Sequence, residues 1–118
     1  MNQWHTHFLG FDELPPDLSN LELKQFFSFS SEDIRAIKTR RGARPRLGAA
    51  LQLGFLRMTG RALDAVDSVS PALLRHVGEQ LPIRVPDLAS LRTLYQQRST
   101  MFVHQRWARE YLGFRDYT

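Results

Sequence analysis

The sequence predicts an all-α fold, a compact bundle of about five to six helices that contains a helix-turn-helix-like pair. Three observations lead to this prediction. Of the 118 residues, 42% are hydrophobic, which is enough to bury one core. Prolines divide the chain into short segments in which apolar residues recur at helical spacing. Apolar and polar residues alternate only in short runs, such as residues 20–24, so we expect almost no β-sheet.

The first two helices are predicted at residues 20–27 and 30–39. Leucines and phenylalanines form the apolar side of the first helix. In the second helix the Ser30 hydroxyl can cap the first turn. Asp33 follows three positions later, near the positive end of the helix dipole. This pairing is typical of a helix N-terminus.

The third helix is predicted over residues 45–59 and is expected to form the centre of the domain. Pro45 suits a first helical turn, and Gly60 is a typical stop signal. Apolar residues surround much of this helix, so we expect it to be largely buried. Gly48 and Gly54 would allow close approach of neighbouring helices, at a propensity cost of about 1 kcal/mol each.

Three further helices complete the bundle. One begins at Pro71 with Ser70 as its cap, and one follows from about Pro86. The last begins near Thr100, places Val103, Trp107 and Tyr111 at four-residue spacing, and ends at Gly113.

Residues 74–93 also fit a helix-turn-helix. Gly78 supplies the small residue of the first helix and Pro82 the turn-former, and apolar residues occupy the inward positions. A short antiparallel helix pair in any bundle would satisfy the same positions. Both interpretations therefore stay open.

The composition excludes several classes of protein. Cysteine is absent, so there can be no disulfide scaffold or thiolate metal site. The four histidines match no metal-binding pattern, and no nucleophile or phosphate-loop motif is present. We therefore expect no metal, no cofactor and no catalytic residues. No apolar run approaches the roughly 20 residues that a bilayer requires, and no signal peptide is recognisable, so we expect a cytoplasmic protein without a membrane partner.

Basic residues are concentrated in one part of the chain. Residues 34–63 contain eight arginines and lysines and no acid, whereas residues 1–33 contain one lysine and six acids. Such a segment concentrates the positive potential that a DNA backbone attracts. A solvated basic face is the alternative. The predicted phosphate contacts are Lys38, Arg40, Arg41, Arg44 and Arg46.

Two other segments could read bases. The outward residues of the helix-turn-helix that could contact base edges are Arg84, Ser90, Arg92 and Thr93. In residues 95–106, hydrogen-bonding side chains stand at a helix start, where backbone N–H groups also favour an anion. The candidates there are Gln97, Arg98, Thr100 and His104. An ordinary capped helix with a polar outer face would show the same pattern.

A set of short motifs lies in order along residues 18–115. The densest are Arg41-Gly42, Arg46-Leu47-Gly48, Ala50-Leu51-Gln52-Leu53, Leu56-Arg57 and Gly60. Downstream follow Tyr95, Arg98, Thr100, His104 and the run from Arg109 to Arg115. In this order and spacing the motifs resemble the N-terminal domain of the Tn3-type family of replicative transposases. Pro45, Pro82 and Ala108 depart from the family's pattern.

This resemblance implies a bacterial domain that binds double-stranded DNA and recognises the terminal inverted repeats of a transposon. The family's catalytic carboxylates lie far downstream in a longer chain, so we expect this chain to be a non-enzymatic fragment. We expect an N-terminal segment at residues 1–17, the DNA-binding domain at 18–113 and the start of a linker to a following domain at 114–118. The remaining transposase domains are the implied protein partners, with possible dimerisation through them. Alternatives are a protein-protein interaction or dimerisation module of the transposase, or a free-standing helix-turn-helix regulator.

Overall fold

A computed structural model describes residues 18–64, 69–81 and 88–113. Within these ranges the chain forms six helices and no strand, which confirms the predicted all-α class. The helices are α1 (Asn20–Phe26), α2 (Ser31–Ile37), α3 (Ala43–Thr59), α4 (Pro71–Gln80), α5 (Leu88–Gln96) and α6 (Arg98–Leu112). The proposed turn between α4 and α5, the N-terminal segment 1–17 and the linker 114–118 lie outside the described residues.

Serine side chains start three of these helices. At α1 the Ser19 hydroxyl accepts from the backbone N–H of Glu22, whose carboxylate accepts from the backbone of Ser19. Ser30 and Asp33 form the same reciprocal pair at α2, as predicted. Ser70 caps α4, which has a proline at its first position. The sequence signals for these helix starts act within one turn, which is why they could be recognised.

Helix α3 is the buried centre of the domain. Every residue from Leu47 to Leu56 is buried, and all five other helices pack against it. The prediction of a central, largely buried helix is therefore confirmed. The helix begins at Ala43, two residues earlier than expected, so Pro45 still lies in its first turn. It ends at Gly60, whose φ of 77° is the left-handed conformation that glycine adopts without strain.

Two glycines of α3 allow close contact with neighbouring side chains. A methyl group added at Gly54 would overlap the ring of Phe27, which is fully buried. A methyl group at Gly48 would lie 2.9 Å from the Tyr95 hydroxyl and 3.2 Å from Nδ1 of His104. Both glycines therefore serve the close approach expected from the sequence.

Helix α6 begins two residues before the expected Thr100 and ends, as expected, at Gly113. Its buried side chains are Met101, His104, Gln105 and Ala108. The four-residue spacing of Val103, Trp107 and Tyr111 therefore does not mark the buried face. Trp107 and Tyr111 are half-buried and stacked, whereas Val103 is exposed.

Helices α3 and α6 run in the same direction. Near their first halves, Gly48 of α3 packs against His104 of α6. Near their last turns, Arg57 of α3 and Tyr111 of α6 both bind the carboxylate of Asp33. The N-terminal ends of α3 and α6 consequently lie at the same end of the molecule.

Candidate nucleic-acid interface

The loop between α2 and α3 is held in shape by the side chain of Arg46. Its Nε donates to the carbonyl oxygen of Arg40 at 2.8 Å, and one of its terminal nitrogens donates to that of Lys38 at 3.1 Å. The half-buried guanidinium thus donates two of its N–H groups to backbone carbonyl oxygens at this loop. These two bonds hold the loop against the first turn of α3, and the phosphate contact expected of Arg46 stays a prediction.

The same loop and the first turn of α3 present basic side chains to solvent. Lys38, Arg41 and Arg44 are exposed. Arg40 is half-buried, and its guanidinium carbon lies 6.0 Å from the centre of the Trp107 ring on α6. This cation-π contact connects the loop to α6, so two segments that the sequence suggested separately are neighbours in space.

Helices α3 and α6 begin without a side-chain cap. The N-cap positions are Gly42, which has no side chain, and Gln97, whose side chain accepts no hydrogen bond from the first turn. Free N–H groups at a helix start, together with the helix dipole, favour an anion. Since both helices begin at the same end of the molecule, their positive ends reinforce one another.

We call this region the basic end. It consists of the exposed side chains of Lys38, Arg41, Arg44 and Arg98 and the first turns of α3 and α6. Gln97 is also exposed here, and Thr100 is half-buried in the first turn of α6. The structure therefore brings together most candidates from the loop and from the start of α6.

His104 does not belong to this exposed set. Its side chain is 3% exposed, and Nδ1 lies 2.9 Å from the hydroxyl oxygen of Tyr95. Burial and the positive charge of nearby Arg40 lower the pKa of His104 to about 4, so the imidazole is neutral at pH 7. Burial also raises the pKa of Tyr95. The expected DNA contact through His104 is corrected to a hydrogen bond inside the core.

The remaining candidates belong to the helix-turn-helix interpretation. Arg92 and Thr93 lie exposed on α5. Ser90 lies in α5, but its side chain is outside the described residues, and so is the whole of Arg84. Both α4 and α5 pack against α3, which fixes their positions on the common core.

A buried carboxylate fastens three helices together. Asp33 of α2 accepts two hydrogen bonds from Arg57 of α3, at 2.9 and 3.0 Å, and one from the Tyr111 hydroxyl of α6 at 2.6 Å. The backbone N–H of Ser30 donates to it as well. Burial alone would raise the pKa of Asp33, but the hydrogen bonds from Arg57, Tyr111 and Ser30 outweigh it and hold the pKa at about 2. Burial and the bond to Asp33 raise the pKa of Tyr111 to about 12.

This cluster changes the charge interpretation of the sequence. Arg57 counted among the eight basic residues of 34–63, yet it is neutralised by Asp33. Asp33 was expected only to stabilise the start of α2. No local signal connects the two, because they are 24 residues apart in the chain.

A second basic segment was overlooked in the sequence. Residues 88–109 contain four arginines and no acid. The structure places this segment on α5 and α6, which both pack against α3. The outward side of α6 also carries Phe102 and Val103, which are 54% and 53% exposed. The absence of acid between Asp87 and Glu110 was the available signal.

Two kinds of feature are absent from the described part of the chain. No group of three histidine, aspartate or glutamate side chains there could hold a metal ion. Nor does any helix within those ranges have the length and apolar character needed to span a bilayer.

Comparison with known proteins identifies the family. The family described as "Domain of unknown function (DUF4158)" matches residues 6–118. The chain belongs to this family. No solved structure matches it.

Several transposases are similar to this DUF4158 chain over nearly its whole length. The transposase for insertion sequence element IS1071 in transposon Tn5271 of Comamonas testosteroni is 48% identical over 114 residues, which cover 97% of this chain and 12% of the relative. The transposase for transposon gamma-delta of Escherichia coli K12 is 32% identical over 100 residues, 84% of this chain and 10% of the relative. The transposase for transposon Tn3926 of Escherichia coli is 34% identical over 103 residues, 87% of this chain and 10% of the relative. The chain thus spans about a tenth of the length of these curated relatives. These similarities confirm the resemblance to the N-terminal region of Tn3-type transposases.

Proposed function

We propose that this domain binds double-stranded DNA and recognises the terminal inverted repeats of a transposon. The observation that carries the proposal is the basic end, where exposed cations surround two uncapped helix starts. The similarity to transposases for named transposons supports the same conclusion, because such enzymes must find the ends of their element. The domain itself is proposed to bind DNA without performing chemistry on it.

The exposed residues of the basic end divide into two roles. Lys38, Arg41 and Arg44 contact phosphates, together with backbone N–H groups in the first turns of α3 and α6 that no side chain caps. Such contacts give affinity and depend on salt, but carry little sequence information. Other side chains recognise the bases. The candidates from the sequence that lie in the described part of the chain are Arg92, Thr93, Gln97, Arg98 and Thr100.

The test is fluorescence anisotropy with two labelled duplexes. One carries the terminal inverted repeat of IS1071, the element of the relative that is 48% identical, and the other is a shuffled duplex of equal composition. We expect binding to the shuffled duplex to be weaker by at least about 1,000-fold, since each mismatched base pair costs roughly 1–3 kcal/mol. Equal affinities for both duplexes would refute recognition of this terminal repeat by the domain.

A pair of double variants tests the basic end itself. Arg41→Ala with Arg44→Ala removes two proposed phosphate contacts. We expect weaker binding to every duplex and a slope of log affinity against log salt that is smaller by about two, one for each contact. The matched control is Lys24→Ala with Arg75→Ala, which removes the same charge from exposed positions on α1 and α4. If both double variants change the slope equally, net charge and not the basic end explains the binding.

A second candidate function is an interaction module for another part of the transposase. Exposed Phe102 and Val103 favour it, because they line a shallow depression of about 460 Å³ along α6. This function predicts weak DNA binding that ignores sequence. The anisotropy assay therefore distinguishes the two candidates directly.

A further inference from the structure

The outward face of α6 combines exposed apolar side chains with arginines. Phe102 lies one helical turn from Arg98 and one turn from Arg106, so the three side chains share one side of the helix. Both arginines are exposed, and more than half of Phe102 is accessible to solvent. The first acid on α6 is Glu110, in the last turn. The first three turns of this face therefore combine apolar and cationic side chains and carry no acid.

The position of this face favours DNA over a protein as its ligand. The first turn of α6 is part of the basic end, so the exposed face continues directly from the proposed phosphate contacts. In DNA-binding domains built from helices, the N-terminal residues of one helix contact base edges while neighbouring elements contact the backbone. An α-helix about 10–12 Å across fits the major groove.

The side chains on this face match what the major groove offers. Arginine can bond to O6 and N7 of guanine, and an apolar side chain can pack against the C5-methyl group of thymine. Most large apolar side chains of the described residues are buried. The exposed ones are Phe102 and Val103 on α6 and Leu21 on α1, which is exposed to a similar extent. Exposure of two adjacent apolar residues costs hydrophobic stabilisation unless a ligand covers them.

We propose that α6 lies in the major groove and that Phe102 and Val103 pack against thymine methyl groups, with Arg98 and Arg106 on either side. This proposal rests on the proposed function and assigns sequence recognition to the outward face of α6. The helix-turn-helix interpretation assigned it to α5.

The experiment first identifies the preferred DNA site of the 118-residue chain. A pool of duplexes with a randomised central segment is incubated with the protein, and the bound fraction is sequenced. Each thymine of the enriched site is then replaced singly by deoxyuridine, which removes only the C5-methyl group. We expect a loss of affinity of about fourfold at one or two thymines, the value of one buried methyl group.

Variants then locate the protein side of this contact. In Phe102→Ala or Val103→Ala, replacing the same thymine by deoxyuridine should no longer change the affinity. Alanine favours a helix and little packing is lost at these exposed positions, so both variants should fold, as circular dichroism can verify. The matched control is Leu21→Ala, in which the deoxyuridine effect should persist.

The outcomes separate this inference from the function on which it rests. If no duplex is enriched from the pool, both fail. If a site is enriched but Phe102→Ala and Val103→Ala keep the full deoxyuridine effect, DNA recognition stands and the role of α6 is overturned. If these two variants bind every duplex like the wild type and no thymine methyl matters, the face belongs to a protein interface and the inference is overturned as well.

Discussion

Replacing Asp33 by asparagine removes the charge that fastens α2 to α3 and α6. In the wild type, hydrogen bonds from Arg57, Tyr111 and the Ser30 backbone hold the pKa of Asp33 at about 2, compared with an ordinary value of 3.8. Since one pKa unit corresponds to about 1.4 kcal/mol, the ionised carboxylate stabilises the fold by about 2 kcal/mol at pH 7. We expect Asp33→Asn to lower the free energy of unfolding by at least this amount, because Arg57 also loses its partner.

The pH dependence follows from the lowered pKa of Asp33 in the folded state. Its contribution is fully present above the unfolded pKa of about 4 and is lost as the pH falls through the folded pKa of about 2. The difference in stability between wild type and Asp33→Asn should therefore be constant near neutrality and shrink in acid. Urea unfolding followed by tryptophan fluorescence, at a series of pH values from about 7 to about 2.5, measures this difference.

The neighbouring acid provides the control for this experiment. Glu32 lies in the same first turn of α2 and is exposed, so Glu32→Gln should change stability by no more than about 0.5 kcal/mol at any pH. A gap between wild type and Asp33→Asn that stays the same from neutral to acidic pH would refute the reasoning. It would mean that the carboxylate is not preferentially ionised by its partners.

Three further predictions concern packing and the buried histidine. Gly54→Ala places a methyl group in the ring of Phe27 and should lower the urea-unfolding free energy by about 2 kcal/mol or more, whereas Gly60→Ala, with no atom within 4 Å, should cost only about 1 kcal/mol for its positive φ. Equal losses would contradict the overlap. Tyr95→Phe removes the hydrogen-bond partner of His104 Nδ1 and should cost about 1–2 kcal/mol in the same assay; no loss would mean that the bond is unimportant. In an NMR titration, His104 should stay neutral down to about pH 4, and stability should fall as the pH drops from about 6.5 to 4, because only the unfolded chain takes up the proton there. A His104 that titrates near 6.5 in the folded protein would disprove its burial.

The helix boundaries were predictable because their signals are local. Ser30 with Asp33, and Ser70 before a proline, act within a single turn, and Gly60 and Gly113 end their helices in the left-handed conformation. The central position of α3 was also predictable, since apolar residues on all sides of a helix can be buried only in the middle of a bundle.

The candidate site was predictable only in part. The sequence identified the basic loop and the start of α6 as separate segments, and Lys38, Arg41, Arg44 and Arg98 are indeed exposed there. It could not show that Arg46 turns back to the carbonyl groups of its own loop. A guanidinium that binds phosphate and one that binds backbone look alike in a sequence.

The buried face of α6 shows why periodicity was insufficient. His104 and Gln105 are polar, yet both are buried because each has a distant partner. His104 meets Tyr95, and Gln105 donates to the carbonyl oxygen of Leu63, which is 42 residues away. Apolar Val103 is exposed instead. Hydrogen bonds to partners outside α6 thus allow two polar side chains to be buried where hydrophobicity alone would not predict it.

The sequence by itself determined the helical class, most helix ends, the central helix and the segment that carries the positive charge, because each depends on residues within a few positions of one another. The tertiary structure decided which basic side chains are exposed to solvent and which are paired with a carboxylate. Arg57 is neutralised by Asp33 from 24 residues away, and Tyr111 reaches the same carboxylate from 78 residues away. It also decided that the starts of α3 and α6 share one end of the molecule. Such contacts depend on how the helices pack, and the free energy of packing is not encoded in any one segment.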